Sequence, residues 1–165
     1  MKTNRKTIKI NRQIVDDQLL QFLALRDAHM PLSGWLKVVR YSLGLTANQL
    51  ARRMNTQASN VLHLEKRETS KSATLSALDR AAKAMNCRLV WSIVPERPYD
   101  SLSAIVDKRA RLMADKIIQT VNHTMKLEGQ ELPPELVKQQ ADDMALDLIR
   151  AGDSKIWGDL GEEIT

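Results

Sequence analysis

A single cysteine, Cys87, among 165 residues rules out an internal disulfide. Without a partner thiol, Cys87 is expected to be a small buried hydrophobe at the close of a helix. No apolar run approaches the ~20 residues of a membrane-spanning helix, and no signal-peptide core follows the basic start. A cytoplasmic protein is expected. Paired cysteines, a His-x-x-x-His spacing and a Gly-rich phosphate loop are all missing. His29, His63 and His123 fall on different predicted elements, so no framework for a metal or nucleotide is visible. His123 is expected to be a packing or surface group rather than a base. There is no internal repeat and no low-complexity segment. The reading is of a non-enzyme without a cofactor.

What is present is charge. Twenty-five Lys and Arg face twenty Asp and Glu, for a net +5, with a pI near 9.5. Residues 1–100 hold 17 basic and 8 acidic side chains, a net +9. Residues 101–165 hold 8 and 12, a net −4. A basic front suits contact with a polyanion. The acidic back either serves a second task or keeps a basic protein soluble. A chain of this length can bury about 70% of its unfolded surface, enough for a real core.

The most informative stretch is Trp35 to Glu68. Trp35, Leu36, Val39 and Leu43 recur at three- and four-residue steps, one face of a helix that Gly44 stops. Thr46 is a predicted N-cap, with Gln49 placed three residues on to bond back in a capping box. Leu50, Ala51 and Met54 form the inner face of the next helix, with Ala51 small enough for a close crossing. Asn55-Thr56-Gln57 reads as a tight turn, with Thr56 or Gln57 as the next cap. Val61 and Leu64 point inward, leaving Ala58, Ser59, Asn60, Leu62, His63 and Lys66 outside. The pattern is a helix-turn-helix.

The outer face suits base recognition. Gln57 and Asn60 carry the paired donor and acceptor that match adenine in the major groove; Ser59 can bond several bases, and His63 a guanine or a phosphate. Ala58 can touch a thymine methyl. Lys66, Arg67 and Lys71 come next at positions suited to phosphates, which orient a protein without reading sequence. The helix N-termini near Thr46 and Gln57 can donate N–H groups to phosphate oxygens.

GWLKVVRYSLGLTANQLARRM, then VLHLEKRE, then TLSALDRAAKAMNCRLVWSIVP together resemble the Xre-type repressor family. More closely, residues 12 to 158 resemble the bacterial family called mobile mystery protein A. The likeness includes Gly34-Trp35-Leu36, Cys87-Arg88-Leu89-Val90, His123-Thr124-Met125 and an Ile156-Trp157 anchor. It departs at Asn60, where a small residue is usual, and at Gln57, where a Ser or Thr cap is expected, so no operator sequence carries over. The resemblance implies a mainly α fold: an Xre/lambda-repressor-like helix-turn-helix bundle with one short β-strand and a C-terminal helical hairpin.

Along the rest of the chain, 1–11 reads as a flexible basic arm and Gln13 to Ala28 as a helix ending before Pro31. Thr74 caps a further helix with Leu75, Leu78, Ala81, Ala82 and Met85 inward. Arg88 to Val94 is β-branched and aromatic, a strand signal. A lone strand leaves its backbone unpaired; its partner is either Thr7 to Ile10 or the same strand of a second copy. A homodimer would set two recognition helices about 34 Å apart, matching a palindromic operator on double-stranded DNA. Pro95 to Asp100 is a linker. Leu102 to Leu127 is a long amphipathic helix that Gly129 stops. Glu131 to Pro134 forms a turn, and a final helix begins at Pro134 and ends at Gly152. Met113, Met125 and Met144 are core material or part of a partner surface, and Trp157 is expected to pack the hairpin back on the body. The expected domains are the arm 1–11, a DNA-binding domain over 12–95, and a C-terminal helical partner-binding region over 101–165.

Thr124-Met125-Lys126-Leu127-Glu128-Gly129 resembles the inhibitory helix motif that restrains Fic-domain enzymes, which transfer AMP from ATP to protein hydroxyls. Members of the mobile mystery protein A family are typically encoded beside a Fic-domain protein. The resemblance implies that Glu128 pairs with an active-site arginine of the toxin and removes the cation that holds the ATP γ-phosphate. Four residues apart, Thr124 and Glu128 share a helix face. The alternatives are an exposed glutamate before an ordinary Gly cap, a stand-alone repressor of a mobile element, and an antitoxin of a non-Fic toxin.

Overall fold

The computed structural model describes residues 5–129, 132–152 and 154–158. Seven α-helices form among them: α1 (Arg5–Leu23), α2 (Trp35–Ser42), α3 (Ala47–Arg53), α4 (Ala58–Thr69), α5 (Leu75–Ala84), α6 (Leu102–Leu127) and α7 (Pro134–Ala151), with a final 3-10 turn at Ser154–Trp157. The protein is mainly α, with no strand among the described residues. No helix among them is long and apolar enough to cross a membrane.

The chain divides into two units, one spanning 27–92 and the other assembled from 1–26 and 93–165. The inner unit, inner by its place along the chain, holds α2 to α5 around Leu36, Leu50, Ala51, Val61, Leu64, Ala81 and Met85. Leu50 and Val61 are fully enclosed, each contributing roughly 1.5–3 kcal/mol through burial. Thr74 caps α5, accepting from the Ala77 N–H at 3.3 Å.

In the outer unit α6 and α7 form a hairpin over Val106, Ala110, Met113, Ala114, Ala145, Leu148 and Ile156. Pro134 opens α7 and Gly152 ends it in the left-handed region, at φ +56°, where a side chain would be strained. Asp16 of α1 caps α6 from outside. Its carboxylate accepts the N–H groups of Leu102 at 2.6 Å and Ser103 at 3.2 Å, and the Ser103 hydroxyl at 2.6 Å. Arg109 donates to the carbonyls of Ile156 at 2.7 Å and Gly158 at 2.6 Å, fixing the chain after α7.

Several expectations change. Residues 5–11 are the start of α1 rather than an arm, so Thr7 to Ile10 is helical and is no strand partner. Residues 1–4 of that arm, and Glu131 of the expected turn, lie outside the described residues. With that partner gone, Arg88 to Val94 is neither helix nor strand among the described residues of the single chain. The domain division also falls elsewhere than 12–95 and 101–165, because Asp16 ties α1 to α6. Pro95 to Asp100 is no loose linker: Arg26 donates to the carbonyls of Pro95 at 3.3 Å and Tyr99 at 2.7 Å and pairs with Asp100 at 3.3 Å. Cys87 is exposed, since α5 closes two residues earlier on the buried Met85. Ile156, not Trp157, anchors the C-terminal turn; Trp157 is 57% exposed.

Candidate nucleic-acid interface

Two buried or capping interactions set the orientation of α4. Trp35 and Leu43 are exposed, because α2 turns inward on Leu36 and Arg40 instead. Arg40 meets Glu65 of α4 in a buried two-point ion pair, Nε to Oε1 at 2.6 Å and Nη2 to Oε2 at 3.1 Å, and its Nη1 donates to the Leu45 carbonyl at 3.0 Å. The hydrogen bond with Glu65 holds the Arg40 pKa above its ordinary value, so its charge, and the stability it brings, persists through neutral pH and is lost only above that already high value. One turn on, Glu68 accepts the N–H groups of Trp35 at 3.1 Å and Leu36 at 2.9 Å, capping α2 from α4. Gly34 makes room for it: at φ +81°, any Cβ would stand 2.5 Å from Glu68 Oε2.

The turn before α4 is equally determined. Thr46 and Gln49 form the predicted capping box, with Gln49 N to Thr46 Oγ1 at 3.2 Å and Thr46 N to Gln49 Oε1 at 2.8 Å. Asn55 takes the left-handed conformation at φ +51°, which asparagine tolerates better than most residues. Gln57 is the N-cap of α4 by backbone geometry, without a side-chain cap bond.

On this frame the predicted residues separate. Gln57, Ser59, Asn60, His63, Lys66 and Arg67 are exposed on or before α4. Ala58 is not fully outward: it is half-buried and packs on the core. The Asn60 amide donates to Thr56 Oγ1 at 2.8 Å, which orients it across the turn. Arg67 Nη2 donates to the Ser72 carbonyl at 2.9 Å, and Lys71 is exposed at φ +58° just after the helix.

The second group of predicted residues lies at the far end of α6. Thr124 is exposed, and its hydroxyl donates to the Thr120 carbonyl at 3.1 Å. Glu128 is the exposed C-cap, its N–H bonded to the carbonyls of Met125 and Thr124. Gly129 comes next at φ +73° with open space around it. Ile117 and Val121, at 36% and 49% exposure, continue toward the helix middle along the face of Thr124 and Glu128.

Hydrophobic spacing does not reveal Arg40, Glu65 and Glu68, because it cannot register a charge at an inner position. It is equally blind to a cleft lined by Arg53, Asn60, His63, Arg67, Arg80 and Lys83. The only sequence signal of that cleft is the density of basic residues. Residues 27–92 carry ten Lys and Arg against four Asp and Glu. No family model matches the chain, and no curated protein or solved structure matches it either.

Proposed function

We propose that residues 27–92 form an Xre-type helix-turn-helix that binds double-stranded DNA sequence-specifically, with α4 in the major groove. The supporting observation is α4 itself. Its inner face is fixed by Arg40 and its neighbour α2 is capped through Glu68, while Ser59, Asn60, His63 and Lys66 remain exposed. Asn60 and Gln57 match adenine, His63 matches guanine or a phosphate, and Lys66, Arg67 and Lys71 meet phosphates. Thr46 sets the end of α3 whose N–H groups also face a phosphate. The reading includes a homodimer on a palindromic operator. Residues 88–94 lie outside any helix or strand and expose Val90, Trp91 and Ile93, a segment that a second copy can pair by strand addition.

The protein acts, in this reading, as antitoxin and transcriptional autorepressor of a Fic-type AMP-transferase. Thr124, Glu128 and Gly129 supply the inhibitory helix end, and the Glu128 carboxylate takes the toxin's arginine away from the γ-phosphate. The exposure of Glu128 beside Val121 and Thr124 on one face supports it.

The first test is selection from a duplex library with a randomised core. Enrichment of a two-fold-symmetric sequence is expected; no preference over random duplex would remove the sequence-specific reading. The second is co-expression with a Fic-domain AMP-transferase that the wild-type chain inhibits. Glu128→Gly should restore AMP transfer and leave duplex affinity unchanged, whereas a variant that still inhibits removes Glu128 from the mechanism.

A further inference from the structure

The cleft beside α4 has a volume of about 730 Å³, and none of its lining residues is Asp or Glu. Three helices contribute to it. Arg53 ends α3, Asn60, His63 and Arg67 come from α4, and Arg80 and Lys83 from α5. Four permanent cations around one cleft repel each other, and no lining carboxylate offsets them. Lys83 pairs with Asp79 at 2.7 Å, yet its own side chain stays 70% exposed. Arg53 and Arg67 each direct one donor to a carbonyl, of Ala84 at 3.3 Å and Ser72 at 2.9 Å. A guanidinium has five N–H donors, so most remain for a ligand. Arg80 is exposed, and its side chain makes no hydrogen bond or ion pair among the described residues. Such a concentration of one sign attracts a polyanion.

We propose that this cleft binds phosphates of the DNA backbone on one flank of α4. The proposal rests on α4 being the reading helix. A helix seated in a major groove about 12 Å wide has a phosphate strand along each side. Asn60 and His63 belong both to the exposed face of α4 and to the cleft, so the cleft borders and partly overlaps the reading face. Arg80 and Lys83, on a helix that reads no base, then fix register and orientation.

The test measures binding of a random-sequence duplex over a range of salt concentrations, for the full chain and for R80A/K83A. Each lost phosphate contact flattens the dependence of log K on log salt by roughly 0.9, so the double variant should lose about two units of slope. The sequence enriched by library selection should not change, and R80K/K83R should keep the wild-type slope. An unchanged slope in R80A/K83A would overturn the cleft while leaving the reading of α4 intact. Failure of the wild type to bind any duplex would overturn the reading of α4, and the cleft with it. A third arm titrates ATP. Binding to the wild type that disappears in R80A/K83A, with the DNA slope unaltered, would assign the cleft to free nucleotides and overturn the proposal.

Discussion

Both units cap a helix with a carboxylate borrowed from a distant helix, but they differ in the charge gathered around that cap. Glu68 caps α2 in the inner unit, and Asp16 caps α6 in the outer one. Around that shared device the inner unit buries a full ion pair and gathers basic residues. Its 66 residues carry a net +6, while the outer unit, with 15 basic and 16 acidic residues, carries −1. The outer unit packs on alanines and exposes apolar groups such as Leu20, Leu25, Val121 and Leu127. Its own cleft, about 570 Å³, is lined largely by apolar residues including Ile8, Val15, Ile105 and Trp157. Both units expose apolar side chains, so what separates them is charge: one is strongly basic and the other nearly neutral.

The largest test of that contrast is Arg40→Ala. Leaving Glu65 buried without its partner should cost about 3–5 kcal/mol, read by urea denaturation with a probe inside 27–92. The double change R40M/E65L should recover much of it, since an apolar pair of similar volume tolerates burial. Next in size, Asn60→Ala should cost ~1–3 kcal/mol on the selected duplex if the amide reads a base. An equal loss on selected and random duplexes would mean that Asn60 only braces Thr56. The two caps then sharpen the comparison directly. Glu68→Ala and Asp16→Ala should each cost roughly 1–2 kcal/mol. By hydrogen exchange, the first should expose the amides of Trp35 and Leu36 and the second those of Leu102 and Ser103, each sparing the other unit. Protection lost across both units from either change would show that they do not behave separately. The smallest effect is Glu128→Gln, which removes an acid from a helix C-terminus. It should stabilise α6 by a few tenths of a kcal/mol, visible as slower exchange near Thr124.

Local chemistry makes much of the fold legible. The Thr46 box, the Thr74 cap, the bounds of α6 and the Pro134 and Gly152 ends of α7 come from residues a few positions apart. The features that escape are non-local. Glu68 and Asp16 act across 32–33 and 86–87 residues respectively, and no spacing rule reaches that far. Arg88 to Val94 has the composition of a strand, but composition supplies no partner for its backbone. Trp35 and Leu43 lie in register with a buried face, yet a paired arginine takes the inner position. At the candidate site, the exposed positions of α4 can be read from periodicity, whereas the cleft needs three helices brought together.

The outer unit is assembled from chain segments on both sides of the inner one in sequence, and this sets an order of events during synthesis. Once α1 emerges from the ribosome, about 80 further residues must emerge before α6 begins. At roughly 5–20 residues per second, Asp16 waits several seconds for the helix that it caps. All of 27–92 is complete in that interval, so the nascent chain can hold a finished inner unit while α1 is still without its partner.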